Sequence, residues 1–265
     1  MTSTNMEYPT APIEAVMPAA LQHTVLWIAS IVLGLFVLLA LRQSFKQKTA
    51  LPLLFLVAGF CTILLEPMVT HMGHAVHPVI GQITLFRVAE RSIPWHIAII
   101  YSFYFGGVYM FLYPRLSSGA VTAAFVWKCY WGICAFAYLI EILPVQQGLW
   151  IYYDQQALWL WKGGMPLFWT FVNASCIFFP MAIMKLLQSS LIGIKQLLVI
   201  PISVMGANMA HFGAGVPYYS AANSSASPLL IELSGLVSVG LALLVVHICA
   251  QIFALPATER AGTSR

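Results

Sequence analysis

Charged residues are scarce in this sequence. Only 8% of its 265 residues are Asp, Glu, Lys or Arg, against about 25% in an ordinary soluble domain, while 60% are hydrophobic. Such a chain cannot cover itself with polar surface, so lipid must supply most of its surroundings. In lipid, only helices and closed barrels pair every backbone polar group, and the apolar runs here are long and do not alternate. The sequence therefore predicts an all-α, polytopic membrane protein.

Other shortages exclude further classes of protein. The twelve Lys and Arg residues are scattered and give a net charge of only +4, which argues against nucleic-acid binding. The five cysteines are odd in number and lack CxxC spacing, so neither a disulfide framework nor a zinc site is indicated. Residues 1–20 have no Lys or Arg and no apolar core, unlike a cleaved signal peptide. The last predicted helix has no lysine for a retinal Schiff base.

Long apolar runs, by contrast, are abundant. A spanning helix needs about 20 mostly apolar residues, and seven segments meet this requirement. They lie at about 24–41, 50–69, 94–113, 119–141, 165–185, 196–213 and 229–254. The sequence thus predicts a membrane domain over residues 23–255, preceded by a short polar tail (1–22) and followed by a cytoplasmic tail (256–265). The host membrane would be a bacterial inner membrane or the endoplasmic reticulum.

The distribution of Lys and Arg predicts the orientation, because positively charged loops remain in the cytoplasm. Three of these residues fall on one side of the predicted membrane: Arg87, Arg91 and Lys162. Eight fall on the other side: Arg42, Lys46, Lys48, Arg115, Lys185, Lys195, Arg260 and Arg265. We therefore expect the amino terminus outside and the carboxyl terminus in the cytoplasm.

Two connections on the predicted outer side, 70–93 and 142–164, are long and rich in apolar and aromatic residues. The second contains Trp150 and Tyr153 among five Trp and Tyr residues over 150–161. This composition is typical of a segment that lies in the membrane interface or folds back as a re-entrant lid.

Five carboxylates belong to the predicted membrane domain, and all are expected at its outer end. They are Glu66, Glu90, Glu141, Asp154 and Glu232. An ionisable group at membrane depth indicates function by default, although carboxylates at helix ends can also sit in headgroup water. Their grouping on one side favours a polar vestibule. The amides of Asn173 and Asn208 are costly in lipid and are expected to face the bundle interior, where either could orient a carboxyl group.

Histidines gather at the same end. His71, His74 and His77 are three residues apart from one another and lie just beyond Glu66, and His96 and His211 lie at the same predicted depth. With Glu66, the first four of these histidines resemble an iron or zinc ligand set. The alternative is a group of interfacial or hydrogen-bonded histidines, and spacing motifs have a high false-positive rate.

The stretch 148–174, GLWIYYDQQALWLWKGGMPLFWTFVNA, resembles the carotenoid hydratase family. In that family a Gly-x-Tyr-x-Tyr loop leads to a Gly-x-Pro-Leu helix start. Here Gly148, Trp150 and Tyr152 occupy the loop positions, so a tryptophan replaces the first tyrosine. The match covers about a tenth of the chain. The seven-helix plan also resembles integral membrane terpene cyclases, which use buried acidic residues.

The resemblance implies an acid–base enzyme that cyclises, isomerises or hydrates an isoprenoid or similar lipophilic substrate entering from the bilayer. We expect Glu66, at the end of an apolar helix, to be the general acid, because burial raises a carboxyl pKa. Asp154 would act within the aromatic loop, and Glu141 and Glu232 would be bases or orienting groups. The residues expected to contact or support the substrate are Asn173, Trp150, Tyr153, Trp169 and His71.

This hypothesis assigns no cofactor and no metal ligand. Its partners are the lipophilic substrate and membrane lipid. Two alternatives remain open at this point: a metal-dependent lipid oxidase or desaturase built on the histidines, and a carrier of lipids or small molecules that catalyses no reaction.

Overall fold

The structure is a computed structural model that describes residues 9–88 and 90–255. Within these ranges, seven helical segments are long and apolar enough to cross a membrane, so the predicted all-α polytopic fold is confirmed. The segments are α1 (Ala19–Gln47), Leu51–Met72, α4 (Trp95–Leu116), α5 (Ala123–Gln146), α6 (Leu167–Leu186), Gly193–Ala222 and α8 (Pro228–Ala254). The orientation of the termini stays a prediction, and the predicted tail 256–265 and residues 1–8 lie outside the described residues.

The second segment is interrupted. It comprises α2 (Leu51–Cys61), a 3-10 turn (Thr62–Leu65) and α3 (Glu66–Met72). Pro67 lies in the first turn of α3, where its missing N–H is tolerated, whereas inside a continuous helix it would remove a hydrogen bond. Glu66 therefore begins a new short helix instead of ending a long one.

Several helices extend beyond their predicted ends. α1 continues to Gln47, and α5 continues to Gln146, so Glu141 lies within α5 instead of at its end. The sixth spanning segment, a 3-10 turn (Gly193–Leu198) followed by α7 (Val199–Ala222), passes well beyond residue 213. The extension of α1, residues 42–47, contains Arg, Gln and Lys, which continue a helix readily but lower its hydropathy.

α2 and α4 approach each other closely. A Cβ atom added at Gly59 would lie 2.6 Å from the backbone nitrogen of Gly106, and one added at Gly106 would lie 2.3 Å from the carbonyl oxygen of Phe55. Small residues that allow such backbone approach are typical of helix packing in membranes. α6, α7 and α8 pack together, α1 packs on α2 and α4, and α5 packs on α6 and α8.

The two long connections combine into one structure, the cap, formed by residues 73–94 (apart from residue 89) and 147–166. Strand β1 (Ala75–Val76) pairs with β4 (Ile151–Tyr152) in antiparallel register, and β2 (Thr84–Val88) forms a hairpin with β3 (Arg91–Pro94). The cap thus joins connections that are far apart in sequence and closes one end of the bundle.

Gln156 holds the cap to the helices. Its buried amide Nε2 donates to the carbonyl oxygens of Gly73, His74 and Tyr153 at 3.2, 3.1 and 2.9 Å. Its Oε1 accepts from the Tyr218 hydroxyl of α7 at 2.9 Å. At the hairpin, Gln22 of α1 donates to the carbonyl of Gly81 and accepts from the backbone N–H of Ile83.

Candidate active site

A cavity of about 450 Å³ lies beneath the cap, within the range of roughly 300–1,000 Å³ that is usual for small-molecule sites. Most of its wall is apolar or aromatic, with contributions from α1, α3, α4, α5, α6, α7 and the cap. A few polar side chains converge on it: Glu66, His77, Tyr101, Glu141, Asn173 and His211.

Glu66 is the most extensively hydrogen-bonded carboxyl group of the cavity. His77 Nε2 lies 3.0 Å from Glu66 Oε1, and the hydroxyl of Tyr101 on α4 donates to Oε2. Both oxygens therefore act as acceptors, in contrast to the apolar surroundings expected from the sequence. Such a group is better arranged to accept a proton than to deliver one. His77 is buried, and its Nδ1 has no hydrogen-bond partner among the described residues.

Glu141 lies in the same cavity on α5. Its carboxyl group makes no hydrogen bond or ion pair with the part of the chain that the structure describes, so both oxygens remain available to a ligand. Tyr152 of the cap lines the cavity together with both carboxyl groups. Burial raises the pKa of the Tyr152 hydroxyl well above its usual value.

On the part of the wall formed by α6 and α7, three side chains form a chain of hydrogen bonds. His211 is buried, its Nε2 lies 3.1 Å from Asn173 Oδ1, and its Nδ1 lies 2.8 Å from the Tyr219 hydroxyl. The His211 and Tyr219 rings are parallel within 5°. Trp169 packs on His211 with ring centroids 5.6 Å apart. Asn173 and Trp169, both expected at the site, thus line the cavity, as does Trp150.

Four of the residues expected at the site lie outside this cavity. Asp154 Oδ2 instead lies 3.3 Å from His74 Nδ1 in the cap, and Glu232 Oε2 accepts a 2.8 Å hydrogen bond from the backbone N–H of Leu158. Tyr153 accepts from Arg91 at 2.8 Å and stacks on His74. His71 is exposed on α3. Asp154, Glu232 and Tyr153 therefore hold the cap in place and do not face a ligand in the cavity.

The histidines do not assemble a metal centre. Among residues 9–88 and 90–255, no three His, Cys, Asp or Glu side chains are grouped closely enough to hold an ion. His74 is held between Asp154 and Asn223, whose Oδ1 lies 3.2 Å from His74 Nε2, whereas His77 is held by Glu66. The ligand set considered from the sequence is thus replaced by separate hydrogen-bonded pairs.

Two important residues gave no clear signal in the sequence. Tyr101 is one aromatic residue among many on α4 and lies 35 residues from the carboxyl group that it contacts. Gln156 stands next to Gln155 in an aromatic loop. A polar amide in such a loop was the only indication of a buried hydrogen-bonding role.

Comparison of the chain with protein-family models, with curated proteins and with solved structures found no match.

Proposed function

We propose that this protein is a membrane-embedded acid–base enzyme that cyclises, isomerises or hydrates an isoprenoid or similarly lipophilic substrate. One observation carries the proposal: two carboxyl groups, Glu66 and Glu141, line the same apolar and aromatic cavity with different hydrogen-bonding surroundings. An enzyme that adds a proton to a carbon skeleton and removes another needs two such groups.

Glu141 is the proposed proton donor. An ionised carboxylate without a partner is costly in apolar surroundings, so the neutral acid is the form that this site favours. Transfer of its proton to an alkene or epoxide would generate a carbocation. The rings of Tyr101, Trp150 and Trp169 face the cavity, and aromatic faces attract cations while keeping water out.

Glu66 is the proposed proton acceptor. In a cyclisation or isomerisation it would take a proton from a carbon next to the cation, so that a new double bond forms. In a hydration it would take the proton of the water that adds to the cation. His77 and Tyr101 hold both oxygens of this carboxyl group in place.

The route of entry supports a lipophilic substrate. Ile28 of α1 and Phe136 of α5 line the cavity, yet they are 57% and 56% exposed, so the cavity reaches the outer surface of the bundle. α1 packs on α2 and α4 whereas α5 packs on α6 and α8, and within the described ranges α1 and α5 do not pack extensively on each other. The resulting opening faces the surface that lipid would cover.

The test is a mass-spectrometric assay of membranes that contain the protein, supplied with farnesylated, geranylgeranylated and linear polyene substrates. We expect an isomeric or hydrated product from the wild type, and its loss in Glu141→Gln and in Glu66→Gln. Glu232→Gln is the matched control, because it makes the same change outside the cavity and keeps an oxygen that can accept from Leu158 N–H.

Product that persists in both cavity variants would overturn the assignment of the two carboxyl groups. Binding of intact substrate by the wild type with no product from any class would favour the carrier alternative.

A further inference from the structure

Asn173 is the amide that faces the cavity, from the second turn of α6. Its two polar atoms have different surroundings. The oxygen Oδ1 is held by His211 Nε2 at 3.1 Å. The nitrogen Nδ2 has no acceptor among the residues that the structure describes, although it carries two hydrogens that can donate.

The hydrogen bonds of His211 decide which end of the amide is free. The Tyr219 hydroxyl lies 2.8 Å from His211 Nδ1, and when it donates there, the neutral imidazole carries its proton on Nε2. That Nε2–H group requires an acceptor, which is Asn173 Oδ1. Tyr219 and His211 therefore turn the NH₂ group of Asn173 away from His211.

Two other asparagines show that this free donor is unusual. Asn208, on α7, donates from Nδ2 to the carbonyl of Val204 at 2.7 Å. Asn223 donates from Nδ2 to the carbonyl oxygens of Met72 and Tyr219 at 2.7 and 2.9 Å. A polar group that faces an apolar cavity is costly when it is unpaired. An acceptor atom on a ligand would therefore give the NH₂ group of Asn173 the hydrogen bond that it lacks.

We propose that the cavity selects a lipophilic ligand that carries an oxygen acceptor, namely a hydroxyl, ether, epoxide or carbonyl oxygen, and binds this oxygen at Asn173 Nδ2. The hydrocarbon chain extends along the apolar wall toward the opening between α1 and α5. Asn173 is then a specificity-determining residue that rejects pure hydrocarbons. This inference rests on the proposed function in placing the substrate in the same cavity, and it narrows the substrate class.

The test is a competition-binding experiment with protein in phosphatidylcholine nanodiscs. Tritiated geranylgeraniol is displaced by unlabelled geranylgeraniol, by its methyl ether, or by the corresponding hydrocarbon that lacks oxygen. The methyl ether accepts a hydrogen bond but cannot donate one. We expect the alcohol and the ether to bind about tenfold more tightly than the hydrocarbon, as one hydrogen bond in a dry site would give.

Variants separate a role in specificity from a role in folding. In Asn173→Leu, which has nearly the same shape, the alcohol and the ether should fall to the affinity of the hydrocarbon, while the hydrocarbon binds as before. Asn208→Leu is the matched control and should keep the tenfold preference. In Tyr219→Phe the imidazole loses the donor that fixes its tautomer, so the amide can turn and the ether should lose affinity relative to the alcohol.

Equal binding of ether and hydrocarbon by the wild type would overturn the inference without any variant. A preference for oxygen that survives in Asn173→Leu would overturn it as well. The proposed function fails separately: selective binding with no product overturns the enzymatic proposal alone, and product formed equally well from the hydrocarbon overturns this inference alone.

Discussion

Glu66 and His77 are eleven residues apart in sequence, and their side chains meet at 3.0 Å where the second spanning segment enters the cap. His77 belongs to the cap, whereas Glu66 begins α3 and lines the cavity. The position of the cap and the geometry of the proposed base are therefore coupled through one hydrogen bond.

Replacing His77 with Phe should disrupt that coupling. The substitution keeps a ring but removes the donor to Glu66, leaving one buried oxygen without its partner, which costs about 1–3 kcal/mol. We expect a lower thermal midpoint in detergent and loss of product. His71→Phe, at an exposed position on α3, should change stability by less than about 0.5 kcal/mol. Equal effects at the two positions would contradict the pairing.

Gln156 is expected to be far more important for stability than its neighbour Gln155. Gln156→Leu leaves the carbonyl oxygens of Gly73, His74 and Tyr153 without their shared donor and should cost about 3 kcal/mol or more. Gln155 makes no side-chain hydrogen bond with the described residues, so Gln155→Leu should be nearly neutral. If Gln156 holds the cap, amide hydrogen exchange at residues 73–76 and 151–153 should become faster in Gln156→Leu and stay unchanged in Gln155→Leu.

The stability of the cap should fall as pH is lowered below about 6.5. Burial lowers the pKa of His74 from its ordinary value of 6.5, although the hydrogen bond to Asn223 and the charge of Asp154 oppose this effect. Below pH 6.5, His74 therefore binds a proton more readily in the unfolded chain than in the folded chain. Lowering the pH thus favours unfolding.

Thermal unfolding of the wild type and of His74→Gln between pH 7.5 and 5.5 tests this expectation. The wild type should lose more stability over this interval than the variant, because the other titrating groups are common to both proteins. If the thermal midpoints of the two proteins change equally with pH, His74 does not contribute to the loss of stability in acid.

The contact between α2 and α4 should tolerate no added carbon atom. Gly106→Ala places a Cβ 2.3 Å from the carbonyl oxygen of Phe55, so the helices must separate, and we expect a loss of more than about 2 kcal/mol. Gly132→Ala on α5 meets no described atom within 4 Å and should stabilise the helix by up to about 1 kcal/mol. Comparison of the thermal midpoint of each variant with that of the wild type tests the expected loss of stability and the expected gain.

The fold was largely predictable because hydropathy reports the transfer of long segments into lipid. The ends of segments were less predictable. Predicted boundaries stopped α5 at residue 141, yet the helix runs to Gln146, so Glu141 faces the cavity from within a helix. Pairing between the two long connections could not be inferred, since β1 and β4 are each only two residues long.

The site was predictable in part. Depth along a helix can be read from sequence, and it correctly grouped the carboxylates at one end. The direction in which each side chain points cannot be read in this way. Asp154 has a left-handed backbone with φ of 56° and turns to His74, and Glu232 turns to the backbone of Leu158. Glu66, Glu141 and Asn173 turn inward.

α1 has 29 residues and is therefore about 44 Å long, whereas the hydrocarbon core of a bilayer is about 30 Å thick. It can match that thickness only by tilting or by extending into the headgroups. Its amino-terminal end is tied to the hairpin through Gln22, so a change of tilt would pivot there and move Ile28, which lines the cavity. We therefore expect access to the cavity to depend on the acyl-chain length of the host membrane.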